Sequence, residues 1–98
     1  MNFITVVRAK LQDPQNAQKA HDSTVALLSP MSRTMGAVHH QPFVNPQDPS
    51  QFLAVDTWDN MEGLQKFLSS PQVAQEFGKL FDGQPEVTVW GEAGWSTF

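Results

Sequence analysis

The 98-residue chain contains no cysteine and no tyrosine. The first absence removes disulfide frameworks, thiolate zinc sites and thiol nucleophiles. The second means that no phenol of the protein's own can hold a ligand. Positive charge is also scarce. Six Lys and Arg stand against ten Asp and Glu, a net charge of −4, so nothing in the chain supplies the basic footprint that nucleic acid needs. No apolar run approaches the length of a membrane span. The opening Met1-Asn2-Phe3-Ile4-Thr5 has no basic flank before its apolar residues, so it does not read as a secretory signal. The expectation is a soluble, cytoplasmic protein with neither nucleic acid nor membrane as partner. At this length residues 1–98 are expected to form one domain. Such a domain buries only about two-thirds of its unfolded surface, so a partner subunit would help it.

What is present is organised around Gln51 to Leu68. In its first half Phe52, Ala54, Asp56 and Trp58 share one face of a strand, and Leu53, Val55 and Thr57 share the other. Both faces are largely apolar, and both are expected to be covered. Asp59-Asn60 turns the chain, Asn60 caps a helix, and Met61, Leu64 and Leu68 take one side of it, with Glu62 and Lys66 spaced as an ion pair.

The remaining elements follow from similar patterns. Asn2 to Lys10 alternates and is rich in β-branched residues, which favour a strand. Asp13 as cap and Pro14 in the first turn start a helix expected to run to Ser29, where Pro30 ends or kinks it. A short further turn through Arg33 is allowed. Ala17, Ala20, His21, Thr24, Leu28 and Met31 form its inward stripe, with Gln15, Lys19, Asp22 and Ala26 facing water. Met35 to Val44 reads as a second strand, and Asn45 to Ser50 as a hairpin loop. Ser70 and Pro71 start a third helix with Val73, Ala74, Phe77, Leu80 and Phe81 on its apolar face. Gly83 is placed to terminate it in a left-handed conformation. Glu86 to Gly91 is a fourth strand. The tail, Glu92 to Phe98, carries Trp95 and Phe98 and is expected to dock.

Strand, helix, strand, strand, helix pair, strand is an α+β order. Right-handed crossovers put the helices on one face of a four-stranded antiparallel sheet. The other face keeps apolar residues, and a second copy packed face to face would hide them. A homodimer through the sheet face is therefore expected.

With those elements assigned, Phe52-Leu53-Ala54-Val55-Asp56-Thr57-Trp58-Asp59-Asn60 and the later Ser69-Ser70-Pro71 resemble the dimeric α/β barrel superfamily, in particular the antibiotic-biosynthesis-monooxygenase-like domains. The resemblance implies a ferredoxin-like βαββαβ fold assembled as a dimeric α/β barrel. Its members include cofactor-free oxygenases of polycyclic phenols, haem-degrading oxygenases, isomerases, chlorite-decomposing enzymes and stress-responsive proteins. The positions that serve haem in the haem-degrading branch align with Val7, Phe67 and Phe77, all apolar, so iron ligation is not expected there. The expected function is a pocket for a small apolar or aromatic molecule, of the cofactor-independent monooxygenase type, with no cofactor. The alternative is a non-catalytic, stress-type binding or structural barrel.

His21, flanked by small side chains on the inward stripe, is the leading candidate for a general base or a hydrogen-bond partner of a ligand hydroxyl, because imidazole changes charge near neutrality. Its plainer role is a half-buried histidine bonded to a backbone carbonyl. His39 and His40 are neighbours on a strand, so one faces the helices and one faces away; their parity is open. Asp56 on an apolar face needs a partner: Arg8 on the neighbouring strand is preferred, a histidine is the alternative. Trp58, Phe77 and Phe81 are expected to shape the pocket, with core filling as their simpler role. Arg33 is a candidate to steady an anion, and Met31, Met35 and Met61 to line an adaptable pocket. His21, one of the His39/His40 pair and Asp56 supply enough donors for a metal, but no short ligand motif is present and no metal site is expected. The pocket is expected to be enclosed, dry, and large enough for an aromatic ring. No nucleophile elbow or phosphate loop occurs.

Overall fold

A computed structural model describes residues 2–98; Met1 lies outside them. The chain forms β1 (Phe3–Leu11), α1 (Ala17–Thr34), β2 (Ala37–Asn45), β3 (Asp48–Trp58), α2 (Met61–Leu68), α3 (Pro71–Leu80) and β4 (Phe81–Gly91). The four strands make one antiparallel sheet in the order β2-β3-β1-β4. This is the ferredoxin-like βαββαβ arrangement, with the helices on one face of the sheet.

Alternation decides which residues the helices cover. Thr5, Val7 and Leu11 of β1 and Phe52, Ala54 and Trp58 of β3 are buried. They pack in two groups. Val7, Leu11, Phe52 and Ala54 meet Leu80 and Phe81. Trp58 meets Leu28, Leu64, Phe67 and Val73. Half-buried Phe77 touches both groups and joins them. Full burial of a side chain such as Leu64 contributes about 2 kcal/mol.

Four expectations are corrected. Helix α1 does not end at Pro30 but continues to Thr34. Pro30 and Ala26, whose carbonyl loses its donor, are both exposed, so that carbonyl is not left unpaired in the core. Leu28, Met31 and Met35, spaced three and four apart, keep the last turns seated on Trp58 and Leu64. The start is also different. Pro14–Asn16 forms a single 3-10 turn, and the Asp13 side chain does not cap it; it accepts a hydrogen bond from Asn16 Nδ2 instead.

The third correction concerns Gly83, which does not cap α3. That helix stops at Leu80, and Phe81 already pairs with Leu11 as the first residue of β4. Gln12 replaces the cap by donating from Nε2 to the carbonyls of Gly78 and Phe81, both at 2.7 Å. Gly83, at φ 82°, lies where β4 bulges between Asp82 and Glu86 against a single residue of β1. Fourth, the tail after Gly91 does not dock on its own chain: Trp95 is 83% exposed and Phe98 wholly so.

The junction of α1, β2 and α2 depends on a close approach. A Cβ on Gly63 would fall 1.7 Å from the Met35 carbonyl oxygen, so only glycine admits this contact. Asn60 caps α2 as expected, accepting from Gly63 N–H at 2.9 Å. No helix among the described residues is long and apolar enough to cross a membrane.

Candidate functional site

The site lies where the inward stripe of α1 crosses β2 and β3. Asp56 belongs to the helix-facing row of β3, two residues from Trp58. Its partner is not Arg8. Arg8 is register-paired with Leu53 and points to the opposite face, so it cannot reach Asp56. The partner is His40, opposite Asp56 on β2, with Nδ1 and Asp56 Oδ1 at 2.5 Å. An irregularity between Ala37 and His39 sets the histidine parity and aims His40 inward. His39 is exposed beside Thr57 and only edges the site.

From α1, His21 brings Nε2 to within 2.8 Å of His40 Nε2. The ring planes are 20° apart and the centroids 5.1 Å apart. That separation is what two imidazoles give when they meet end to end, so this is an in-plane nitrogen-to-nitrogen contact rather than a face stack. His21 Nδ1 lies 3.0 Å from Asp22 Oδ1, and its ring rests against Phe52 at 5.8 Å. A backbone carbonyl is not its partner.

The chain Asp22–His21–His40–Asp56 therefore has a carboxylate at each end. A carboxylate only accepts hydrogen bonds, so both Nδ1 atoms must carry hydrogen. Two bare Nε2 lone pairs would repel, and two N–H groups would collide. All three contacts together take three ring protons, one more than two neutral histidines own. Removing one proton breaks one link. Asp22 is the loosest end, its side chain 64% exposed against 20% for Asp56. Turning Asp22 out to water leaves His21 Nδ1 as a free lone pair, backed by His40 and Asp56.

Two cavities flank this chain. His21 and Asp22 border an outer cleft of about 400 Å³, which Leu11, Pro42, Val44 and Phe52 also line. This lies in the usual range for ligand pockets, about 300–1,000 Å³. His40 and Asp56 border an inner cavity of about 120 Å³ that reaches Val25, Leu28, Trp58 and Phe77. The inner cavity sits where a pocket was expected, between α1, the later helices and the sheet, but it is half open to solvent rather than enclosed. It falls short of the roughly 150 Å³ known to admit benzene, so the space for a larger ring is the outer cleft. Asp22, expected to face water, is the member of this site that sequence reasoning missed; sequence neighbours on a helix rarely face one another.

Other expected residues are placed as follows. Phe77 and Trp58 line the inner cavity. Trp58 Nε1 is buried with no hydrogen-bond partner among the described residues, which costs about 1–3 kcal/mol. Phe81 is buried against Phe52 and Phe77 and lines neither cavity. Arg33 is exposed in the last turn of α1 and lines neither cavity. Met31 and Met35 pack in the core, and Met61 is largely exposed. Among the described residues no three His, Asp or Glu side chains converge as metal ligands; His21, His40 and Asp56 run in a line.

No family model matches the chain, and no curated protein sequence is similar to it. Solved structures are. The cofactor-independent oxygenase SnoaB from Streptomyces nogalater superposes with a TM-score of 0.74 at 14% identity, over 96% of this chain and 95% of that one. The chain shares its fold with solved structures of antibiotic biosynthesis monooxygenases. A putative antibiotic biosynthesis monooxygenase from Bordetella bronchiseptica gives 0.74 at 13% identity, covering 94% and 97% of the two chains. A further putative one from Nitrosomonas europaea gives 0.70 at 10%, covering 95% and 91%. At these identities the likeness is one of fold.

Proposed function

We propose that this protein is a cofactor-independent oxygenase that binds a hydroxylated aromatic molecule in the outer cleft and takes a proton from it with His21. The observation that carries this reading is the nitrogen-to-nitrogen contact of His21 and His40 with Asp56 behind it. Its similarity to SnoaB in fold supports the reading. A substrate hydroxyl enters where Asp22 stands, and its proton passes to His21 Nδ1. The resulting positive charge is spread over two rings and faces the Asp56 carboxylate. The substrate, now an electron-rich anion, reduces dioxygen. In a ring methylene that equilibrates with a phenolic enol, the carbon gives up both hydrogens and becomes a carbonyl carbon. One atom of dioxygen becomes the carbonyl oxygen, and the other leaves as water with those two hydrogens. The substrate thus supplies all four electrons and no reductant is needed.

The working unit in this proposal is a pair of chains packed sheet to sheet. The uncovered face bears half-buried Ile4, Val6, Leu53 and Val55, with Phe43 49% and Trp90 58% exposed. A contiguous apolar surface of this kind calls for a protein partner, and the matching surface of a second copy supplies it.

The test is oxygen uptake with anthrone, whose methylene group tautomerises to give a phenol. Turnover is expected from the wild-type chain, and His21→Ala lowers it by about 100-fold or more, the scale of a lost general base. Equal rates for both would overturn the proposal. A second reading, a binding protein without turnover, is favoured by one fact: both ring nitrogens of His21 are engaged. It predicts that anthrone binds without oxygen uptake and that His21→Ala alters stability alone.

A further inference from the structure

The inner cavity is separated from the outer cleft by the His21–His40 contact. We infer that it is a site for dioxygen, held beside the histidine pair while the aromatic molecule occupies the cleft. This rests on the oxygenase reading above. Size comes first. At about 120 Å³ the cavity is below the roughly 150 Å³ that takes a benzene ring, yet ample for a diatomic gas. Lining comes next. Val25, Leu28, Trp58, Phe67 and Phe77 supply the apolar part of its lining, and apolar cavity walls accept xenon.

A trapped water needs two to four polar partners; one buried donor here, Trp58 Nε1, has no partner among the described residues, while the groups at the roof are committed. His40 and Asp56 bond each other, His40 Nε2 bonds His21, and the Ser32 hydroxyl donates to the Ser29 carbonyl. Dioxygen asks for no hydrogen bond. Position completes the argument: the roof of the cavity is His40, whose other edge touches the ring that receives the substrate proton. An anion formed in the cleft therefore has its oxidant one imidazole away, and only local side-chain movement has to bring them together.

Two measurements test this. Crystals of the wild-type chain under xenon pressure are expected to show xenon between Leu28, Trp58 and Phe77. Ordered water alone in that space overturns the inference. Independently, Ser29→Leu and the gentler Val25→Ile fill the cavity from α1 without touching the histidines. With anthrone, Ser29→Leu is expected to raise KM for dioxygen by about tenfold while KM for anthrone holds, a loss of binding for one substrate only. An unchanged KM for dioxygen in both variants also overturns it. Xenon binding without anthrone turnover would leave the gas site standing and sink the oxygenase reading, so the two failures are distinct.

Discussion

His21 Nε2 and His40 Nε2 meet end to end at 2.8 Å, across the gap between α1 and β2. Each ring has a carboxylate behind it, and the two are not equivalent: Asp56 is held on the sheet, and Asp22 is free to turn into water. The asymmetry gives the pair a direction, from the open cleft toward Asp56.

Asp56→Asn tests that direction. The amide oxygen still accepts from His40 Nδ1–H, but the charge that balances an imidazolium is gone. Turnover with anthrone is expected to fall by about 100-fold. Stability is expected to fall by about 1 kcal/mol, the difference between a hydrogen bond to a charged group and one to a neutral group. Oxygen uptake and urea unfolding read the two effects separately.

Gly63→Ala tests the close approach of α2 to α1. In an open helix the change gains about 1 kcal/mol. Here the new methyl group meets the Met35 carbonyl oxygen at 1.7 Å, and backbone must move. The clash wins, with a net loss of about 3 kcal/mol or more, measured as a lower urea midpoint at unchanged m-value.

How far the sequence can be read follows from the same residues. The row Phe52, Ala54, Asp56, Trp58 is legible because strand alternation has a fixed period. The inward aim of His21 is legible from the α1 stripe. The choice between His39 and His40 is not, because an irregularity in β2 resets parity and leaves no residue signature. Adjacency of strands alone pairs Asp56 with Arg8, yet the β1–β3 register sends Arg8 to the other face. Pro30 is a weaker stop than its chemistry suggests, since an exposed carbonyl has water to turn to. The Gln12 cap of α3 joins groups 66 and 69 residues apart, beyond any local pattern.

Val55→Lys tests the proposed pairing of sheets. It puts a charge in the centre of the uncovered face and leaves the helix side alone. The wild-type chain is expected to sediment as a dimer at micromolar concentration and the variant as a monomer. Removing Trp95 to Phe98 shows whether the exposed tail aromatics contribute: a weaker dimer is expected if they lie on the second copy, and an unchanged one excludes that role.

Asp48 provides a pH prediction. The Ser50 side chain and then its backbone N–H hold the Asp48 carboxylate below its ordinary 3.8. A group depressed in the folded state stabilises above its unfolded value, and that stability is lost as pH falls through the folded value. The hairpin is therefore expected to loosen below about pH 4. Ser50→Ala should shrink this acid sensitivity, read as the difference in thermal midpoint between pH 3 and pH 6 for the two proteins.

The most direct test is nitrogen NMR of the imidazole rings in the wild-type chain and in His21→Ala. The account predicts one slowly exchanging N–H lying between the two Nε2 atoms, and a displaced His40 Nε2 resonance once His21 is removed. Two rings with no N–H shared between them, and His40 signals untouched in His21→Ala, would contradict it.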